Sequence, residues 1–458
     1  ITGQANKGLL ELGEVALFDL EGNRVNLSAS ASPLFDEQET VPEKTTYYDS
    51  AYFDEIYHPR TAWEHIRGIE PYEISHPPLG KLIMGVGIRL FGMTPFGWRF
   101  MGTLFGVGML PLLYVFLKNL FGRTSIATCG TVLLAADFMH LTQTRLATID
   151  TYAFFFILLM YYFMYRYLTL PAGAPFRKCA LPLFLSGLFW GIGAASKWTV
   201  IYGCTGLVVL YFIGLYQKLR DWPADGETGA RQPGRLKWAF QILAFSVLVF
   251  ALIPAAIYTL SYLPYAWAEG DSSLTGLVGA MWENQKYMLS YHSGVTDTHP
   301  YSSRWYQWLF DIRPILYYMD NSVPGYTTRF AAFVNPVVCW GGLLAVLACA
   351  AQAVRRRCAK ALFIVIGYLA QLVPWFFIGR ITFAYHYFPS VLFLILALCY
   401  VFYSLSEQEE LIAWKPAMYA VTAGAAALYA LFYPVLVGIQ IPSWYGTCLL
   451  RWLPSWPF

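Results

Sequence analysis

Two adjacent carboxylates, Asp54 and Glu55, are the side chains of this sequence best suited to acid–base chemistry. Neighbouring carboxylates repel each other when both are ionised, so at least one of them normally has a chemical or structural reason to be there. His58 follows within one helical turn, and two prolines after His76 end any helix at that point. Leu79 then opens the first long apolar run. The cluster can serve chemistry at a membrane surface or can be a charged cap before a hydrophobic helix, and these residues alone leave both interpretations open.

Further ionisable residues stand near the ends of later apolar runs. Arg145 and Asp150 are five residues apart, so they can form a structural ion pair with Asp150 at the start of the next helix, or they can belong to a site. The amine of Lys197, in a short turn, can snorkel to the membrane surface. Arg99 stands among aromatic residues near the entrance of an apolar run, and arginines in such positions usually face a partner or a cavity.

Aromatic, His and Arg residues are dense in two later intervals. The first is 263–330, which holds among others His299, Tyr301 and Trp305. These rings can form an interfacial belt, or they can line a sugar or lipid site because aromatic rings stack on the apolar faces of sugars. The second interval combines Arg380 with Tyr385 and His386. A planar guanidinium at this position suits a phosphate held at the bilayer surface.

The composition is that of a polytopic membrane protein. The chain is 57% hydrophobic and 18% aromatic, and only 13% of its residues are charged. Soluble domains carry roughly 25% charged residues, and the mean hydropathy here is +0.45. The net charge of +3 is too small to indicate a nucleic-acid partner. The eight cysteines show no CxxC spacing, so neither a disulfide framework nor a metal knuckle is predicted.

The apolar runs predict about ten transmembrane helices, since a helix needs about 20 residues to cross the hydrocarbon. The segment 79–91 is too short and is amphipathic, which predicts a helix at the interface. The predicted spans are, approximately, 96–117, 125–142, 150–168, 180–196, 199–216, 238–262, 331–354, 361–379, 383–404 and 416–438.

Loop charges alternate along these spans. One set of loops carries most of the Lys and Arg residues, around 118–123, 166–178, 218–237, 355–360 and 415. The other short loops carry one base each, namely Arg145, Lys197 and Arg380. Excess positive charge marks the cytoplasmic side. The stretch from Asp54, these three bases and the interval 263–330 are therefore all predicted on the opposite, non-cytoplasmic face.

The N-terminal residues differ from the rest. Alternating polar and apolar residues from Gly13 to Arg24, with a turn at 21–23, predict a hairpin. Without a signal peptide or initiating Met, the chain is expected to begin partway into a longer protein. The predicted organisation is the end of an external β-rich insertion (1–50), an external loop with the acidic pair and an interfacial helix (51–95), transmembrane helices (96–262), a long external loop (263–330) and C-terminal transmembrane helices (331–458).

Six motifs, in order and spacing, resemble those of bacterial protein O-mannosyltransferases, which have the GT-C architecture. The resemblance covers the chain from about residue 47 to the end. Family members have a transmembrane helix before the acidic pair that is missing here, and the β-trefoil MIR domain of eukaryotic members is missing too. The motifs are Phe53-Asp54-Glu55, His76-Pro77-Pro78-Leu79-Gly80-Lys81, Thr144-Arg145-Leu146 to Asp150, Ser196-Lys197-Trp198-Thr199, His299-Pro300-Tyr301-Ser302-Ser303 and Tyr385-His386-Tyr387.

The resemblance implies a polyprenyl-phosphate-mannose donor, a Ser or Thr hydroxyl of a secreted or membrane protein as acceptor, and an inverting mechanism at the extracytoplasmic face of the plasma membrane. Asp54 would be the general base, with Glu55 orienting the sugar or acceptor. No cofactor or metal is required beyond the donor. The implied phosphate- and carrier-binding residues are Arg145, Arg380, Tyr385, His386, Arg99 and Lys81. The implied sugar- and acceptor-binding residues are His76, Asp150, Lys197, His299, Tyr301 and Trp305.

Three alternatives remain. A GT-C enzyme could modify a lipid or polysaccharide, as aminoarabinose transferases do, although the sequence resembles those less. A transporter is expected to show internal repeats with broken helices, and no repeat is found. The acidic pair and the histidines could form a metal site, but no HxxxH or HxxE spacing supports one.

Overall fold

The computed structural model describes residues 15–25, 34, 35, 38, 41, 50–223, 234–296, 298–408 and 413–458. The chain divides into two compact units, Ile1–Ala51 and Tyr52–Phe458. In the first unit, Phe18 and Arg24 form an antiparallel bridge, and the Asp19 carboxylate accepts the backbone N–H groups of Glu21 and Asn23 at 2.9 and 2.8 Å. The turn predicted at 21–23 is therefore present, whereas Gly13 and Glu14 lie outside the described residues.

The second unit is mostly helical. Its first helices are α1 (His58–Arg67), α2 (Leu79–Phe91), α3 (Pro95–Phe121), α4 (Thr124–Ala135), α5 (Phe138–Arg145), α6 (Asp150–Leu168), α7 (Phe176–Ser196), α8 (Thr199–Arg220) and α9 (Arg235–Val247). The others are α10 (Ile253–Leu260), α11 (Leu263–Ala268), α12 (Leu274–Gly294), α13 (Trp305–Trp308), α14 (Gly342–Arg355), α15 (Ala359–Leu372), α16 (Phe388–Ser406) and α17 (Trp414–Val437). Short 3₁₀ turns at Phe53–Ile56, Val373–Phe377 and Ala384–Tyr387 lie between them.

Each of the ten predicted spans is helical over most of its length. Within the described residues, eight helical segments are long and apolar enough to cross a membrane, and α4 with α5, bent by 56°, would make a ninth. The predicted span 150–168 corresponds to α6, which is not among the eight because its many tyrosines and two charged ends lower its hydropathy. Most of the α6 residues are buried, so tyrosine side chains there meet protein.

Helix α16 forms the centre of the helical packing. It contacts α3, α4, α6, α14, α15 and α17, and most of its residues are buried. A helix that is apolar on every side can be packed against neighbours around its whole circumference. Its N-terminus follows directly from Ala384–Tyr387, so the most constrained helix of the bundle holds the segment with Tyr385 and His386.

The bend between α4 and α5 is held by polar contacts. Asp137 caps α5 by accepting the N–H of His140 at 2.9 Å, and it also accepts the N–H of Asn335 at 3.0 Å. The Asn335 amide donates to the carbonyl groups of Ala136 and Ala425, both at 2.9 Å. Backbone groups released by a broken helix need such partners in an apolar interior. The bend directs the C-terminal end of α5 toward the start of α6.

A three-stranded antiparallel sheet was not predicted from the sequence. Its strands are β1 (Ile315–Asp320), β2 (Tyr326–Ala332) and β3 (Gln440–Pro442), in the order β1-β2-β3. Ile315 pairs with Ala332, and a bulge separates Leu316 from Tyr318. Two runs of aromatic and β-branched residues around the turn Asn321–Gly325 carried the signal for a hairpin. The predicted long loop is thus largely structured, with α11, α12 and α13 before the sheet.

Glu55 anchors the N-terminal turn of the second unit. Its carboxylate receives a bidentate ion pair from Arg99 of α3, with N···O distances of 2.8 and 2.7 Å. It also accepts the backbone N–H groups of Ala147 at 2.7 Å and Tyr52 at 3.0 Å. Four donors on one carboxylate that is only 2% exposed join three separate segments, because a buried charge is stable only when it is fully paired.

We expect Glu55→Gln to lower the free energy of unfolding by about 3 kcal/mol, because it leaves the Arg99 guanidinium without its counter-charge. Thermal unfolding of the purified protein in detergent measures this loss. Glu283→Gln is the matched control, since it breaks only the exposed pair between Glu283 and Lys286 and should change the unfolding little. Equal stability of the two variants would contradict the anchoring role of Glu55.

Candidate active site

Two adjoining cavities lie at the end of the bundle that carries Asp54, Lys197 and Arg380. The carboxylate cavity has a volume of about 550 Å³ and contains Asp54 in its wall. The aromatic cavity, of about 510 Å³, is lined in part by Trp198, Tyr202, Leu289, Trp375, Phe377 and Ile378. The two cavities share part of their walls, namely His76, Lys197, His292, Val295, Arg380 and His386. The polar carboxylate cavity and the more apolar aromatic cavity therefore meet at a wall that carries cations and imidazoles.

Asp54 presents a carboxylate without a partner to its cavity. Across the part of the chain that the structure describes, its side chain makes no hydrogen bond or ion pair, in contrast to Glu55. Burial in the cavity wall raises the pKa of Asp54, whereas the nearby His58 and Lys197 oppose that rise. A carboxylate with a raised pKa is a stronger proton acceptor than an ordinary Asp.

The backbone just before Asp54 is unusual. Phe53 has a φ of +55°, a left-handed conformation that a bulky residue adopts only when its surroundings demand it. Its ring packs edge-on against Phe383 at 4.9 Å and against His299 at 5.5 Å. These contacts, together with the anchored Glu55 on the other side, fix the direction in which Asp54 projects.

Two of the predicted cations line both cavities. Lys197, in the turn between α7 and α8, donates to Asp150 at 2.7 Å and lies 5.5 Å from the centre of the Tyr385 ring. The guanidinium of Arg380 donates only to the carbonyl of Ile381, at 3.3 Å. Among the described residues no carboxylate pairs with Arg380. Arg380 is therefore the cation of the shared wall whose charge is available to an anionic ligand.

Three of the predicted phosphate-binding cations line neither cavity. Arg99 is engaged by Glu55, and Lys81 is fully buried with its amine 2.6 Å from the Glu73 carboxylate. Arg145 points toward α17 and donates to the carbonyl of Leu436 at 3.4 Å. Arg99 and Lys81 are paired with carboxylates and Arg145 lies outside both cavities, so these positions do not support a role in phosphate binding.

The ion pair considered between Arg145 and Asp150 is not formed. Asp150 is the first residue of α6 and pairs with Lys197 instead. The side chain of Asp150 is buried behind the cavity wall and does not line it. Its position is that of a counter-ion that holds the Lys197 amine in place.

Of the three residues in the interval 263–330 that were predicted to bind the sugar or the acceptor, one lines a cavity and two do not. His299 lines the carboxylate cavity, and its Nδ1 accepts the N–H of Tyr301 at 3.1 Å. Burial lowers the pKa of His299, which favours a neutral ring. Tyr301 packs into the hydrophobic core, and Trp305 stacks on Phe376 with ring centroids 3.9 Å apart. Neither of these two rings lines the carboxylate cavity or the aromatic cavity.

Tyr385 and His386 line the carboxylate cavity as a stacked pair, with ring centroids 4.5 Å apart. His386 also reaches the aromatic cavity. Its Nδ1 lies 3.0 Å from the Phe383 carbonyl oxygen and 3.1 Å from the Phe383 nitrogen. The ring is therefore tied to its own turn by Nδ1, and Nε2 remains for a ligand.

Sequence reasoning did not assign three residues that the structure brings to this site. His58, Glu73 and His292 line the carboxylate cavity. An acid three residues before His76 was the available signal for Glu73, but without coordinates an isolated Glu in a loop does not stand out. No group of three or more His, Cys, Asp or Glu side chains, within the described ranges, is arranged to hold a metal ion.

Two family models match the chain. Residues 92–268 match the dolichyl-phosphate-mannose-protein mannosyltransferase model. Residues 277–456 match the C-terminal four TMM region of protein-O-mannosyltransferase. The two matches together cover most of the second unit, Tyr52–Phe458.

Curated relatives extend over nearly the whole chain. A polyprenol-phosphate-mannose–protein mannosyltransferase of Mycobacterium tuberculosis is 26% identical, over 95% of this chain and 88% of the relative. Proteins of the same name from Mycolicibacterium smegmatis and Corynebacterium glutamicum are 26% and 24% identical. These matches cover 88% and 96% of this chain, and 87% and 92% of the respective relatives.

Solved structures show the same fold. The Saccharomyces cerevisiae protein O-mannosyltransferase Pmt1-Pmt2 complex bound to its sugar donor matches with a TM-score of 0.76 and 14% identity, over 90% of both chains. ArnT from Cupriavidus metallidurans bound to undecaprenyl phosphate matches with a TM-score of 0.52 and 15% identity, over 84% of this chain and 62% of the other. The predicted GT-C architecture is confirmed. With two models of one family matched in succession along it, the chain belongs to the protein O-mannosyltransferase family and is a multi-pass membrane glycosyltransferase.

Proposed function

We propose that this enzyme transfers mannose from a polyprenyl-phosphate carrier to Ser or Thr hydroxyls of secreted or membrane proteins, with inversion at the anomeric carbon. The observation that carries the proposal is that the wall of one cavity holds two opposite charges without an ion-pair partner among the described residues, the Asp54 carboxylate and the Arg380 guanidinium. The names of the mycobacterial and corynebacterial relatives support the same donor and acceptor.

Asp54 is the general base in this proposal. The acceptor hydroxyl has a pKa far above 7 and attacks the anomeric carbon efficiently only if a positioned group takes its proton. The new bond forms between the acceptor oxygen and the anomeric carbon, the bond from that carbon to the phosphate oxygen breaks, and the bonding electrons leave with the phosphate. The proton ends on Asp54. One displacement of this kind inverts the configuration.

The hydrogen bonds and ion pairs made by the carboxylates near Asp54 support an inverting mechanism. A retaining enzyme needs a second carboxylate as a nucleophile within about 5.5 Å of the acid–base group. Glu55 is held by four donors in the buried anchor. Glu73 lines the cavity but is bound by Lys81 and faces His76. Asp54 is thus the carboxylate in the described cavity wall that has its oxygens available to a reactant.

Arg380 and Lys197 receive the leaving phosphate in this proposal. A phosphate is a weak base, so it needs fixed positive charge as the bond breaks and does not need a general acid. Both cations belong to the wall that joins the two cavities. The exposed rings of the aromatic cavity, such as Phe377, give the isoprenoid chain an apolar path from the bilayer. The undecaprenyl phosphate in the ArnT structure supports a carrier of this class.

The site is proposed to face the non-cytoplasmic side. The base-rich loops, which the charge rule assigns to the cytoplasm, meet one another at the opposite end of the bundle. Arg123 after α3 pairs with Glu407 after α16 at 2.8 Å, and Lys218 of α8 contacts the carbonyl groups of Leu168 and Leu170 after α6. The single-base turns with Lys197 and Arg380 lie together at the cavities.

Asp54→Asn is expected to lower kcat by about 10²- to 10⁴-fold, because the amide cannot take the acceptor proton. The affinity for polyprenyl phosphate and the thermal stability should stay within about threefold and a few degrees of wild type, since the Asp54 side chain pairs with no described residue. Transfer of labelled mannose to an acceptor peptide measures the rate. A variant that turns over like wild type would remove Asp54 from the mechanism.

The pH profile of the same assay tests the raised pKa of Asp54. A base works when ionised, so kcat/KM should fall as the pH is lowered through this raised pKa. The acid limb is therefore expected above the ordinary Asp value of about 3.9. Asp54→Asn should remove this limb from its residual activity. Persistence of the same limb in the variant would assign it to another group.

Arg380→Gln is expected to weaken the binding of polyprenyl phosphate by about tenfold or more, because a charge-assisted contact to the phosphate is lost. Arg145→Gln is the matched control, since Arg145 points to Leu436 and lines neither cavity. Binding of a fluorescent carrier lipid measures both variants. A larger loss in Arg145→Gln than in Arg380→Gln would contradict the proposed position of the phosphate.

Excess chelator is expected to leave the rate of transfer unchanged, because Arg380 and Lys197 supply the charge that the phosphate requires. The purified enzyme, assayed with and without chelator on the same labelled donor, tests this directly. A loss of activity that added divalent cation restores would favour the metal-dependent alternative.

A further inference from the structure

Glu73 is the most highly connected carboxylate of the carboxylate cavity, and the proposed chemistry leaves it without a role. It stands in the loop between α1 and α2. One oxygen lies 2.6 Å from the amine of Lys81, and the other accepts the N–H of Ser75 at 2.8 Å and contacts its hydroxyl. The cation of Lys81 keeps the pKa of Glu73 well below its usual range despite burial. Glu73 is thus an anion that can only accept hydrogen bonds.

This anion determines which nitrogen of His76 carries the proton. His76 Nδ1 lies 3.2 Å from a Glu73 oxygen and 3.0 Å from the Ser75 hydroxyl, which itself donates its proton to the same Glu73 oxygen. A lone pair on Nδ1 would face a carboxylate oxygen and be repelled, so the proton is on Nδ1. Burial lowers the pKa of His76 to about 3, although Glu73 opposes that shift, so the ring is neutral. The remaining nitrogen, Nε2, therefore carries a lone pair and makes no hydrogen bond to any residue that the structure describes.

Two more imidazoles adjoin His76. His58 Nδ1 lies 3.6 Å from the second Glu73 oxygen, which is beyond hydrogen-bond distance, and the ring centroids of His58 and His76 are 5.6 Å apart. His292 Nε2 lies 2.9 Å from the carbonyl oxygen of Ser75, to which it can only donate. The centroid of His292 is also 5.6 Å from that of His76. His76 and His292 thus each turn a proton-bearing nitrogen toward residues 73–75.

We propose that Glu73 is a positioning residue that orients His76 so that its Nε2 lone pair accepts a hydrogen bond from a hydroxyl group of the transferred sugar. The inference rests on the proposed function and adds the means by which the site recognises its sugar. The His76 ring lines the carboxylate cavity with Asp54. A nitrogen lone pair repels the phosphate oxygens of the sugar donor, whereas it can accept a hydrogen bond from a sugar hydroxyl group. This imidazole therefore suits the sugar part of the substrate.

The test compares polyprenyl-phosphate mannose with donors in which one sugar hydroxyl is replaced by hydrogen. Wild type is expected to use at least one deoxy donor about tenfold less well in kcat/KM, because its partner nitrogen is left unpaired. Glu73→Asp keeps the charge that buried Lys81 requires, but withdraws the carboxylate by about 1.5 Å, the length of one C–C bond. In this variant the difference between mannose and that deoxy donor should shrink to within about threefold. The rate with the deoxy donor itself should change little.

A matched control is Glu64→Asp, the same substitution at a buried Glu of α1 that binds Arg60 and the N–H of Tyr72 and lines neither cavity. It should discriminate between the donors as wild type does. The double variant Glu73→Gln with Lys81→Met, which removes the charge pair as a unit, is expected to lose discrimination as Glu73→Asp does.

Two results would overturn the inference: equal use of all donors by wild type, or a Glu73→Asp enzyme that slows on every donor by one common factor. The second result is what a purely structural role predicts. The proposed function is judged separately, because it fails only if wild type transfers no mannose from polyprenyl-phosphate mannose to a protein.

Discussion

Two adjacent carboxylates can both remain ionised beside a membrane only if one of them is neutralised by the protein, and the site depends on this constraint. Glu55 is the neutralised member, with Arg99 and two backbone N–H groups on its oxygens. These contacts fix the turn that Asp54 shares. The same arrangement leaves Asp54 without a partner among the described residues, in a position where burial raises its pKa. In the proposed mechanism, Glu55 is therefore the structural carboxylate and Asp54 the reactive one.

The cations around the cavities are organised by the same rule. Buried charges are costly unless they are paired, and Lys81 and Lys197 are held by Glu73 and Asp150. Arg380 is the exception in the shared wall, because its guanidinium donates, among the residues that the structure describes, only to the carbonyl of Ile381. A positive charge left available at the junction of a polar and an apolar cavity suits a ligand with a phosphate between a sugar and a lipid.

The sequence predicted the class of fold because that prediction rests on apolar length and loop charge, which are local properties. It also pointed to Asp54, His76, Lys197, Arg380 and His386, which line the cavities. It could not separate cations that face the cavities from cations that face other partners. Arg145 belongs to one of the six motifs and Arg380 to none, yet the Arg145 side chain donates to the carbonyl of Leu436 and Arg380 lines both cavities.

The residues that sequence reasoning missed depend on long-range geometry. Glu73 becomes significant only when His58, His76 and Lys81 are seen around it, and His292 only when α12 is placed against the loop before α2. The sheet formed by β1, β2 and β3 joins segments more than 100 residues apart, and no local pattern states that pairing.

The most direct measurement is a structure of the enzyme with a non-hydrolysable analogue of polyprenyl-phosphate mannose. The account predicts the phosphate in hydrogen-bond contact with Arg380, the isoprenoid chain in the aromatic cavity, and the Asp54 carboxylate on the side of the anomeric carbon opposite the phosphate. A phosphate bound at Arg145 or Arg99, or an Asp54 side chain turned away from the sugar, would contradict it.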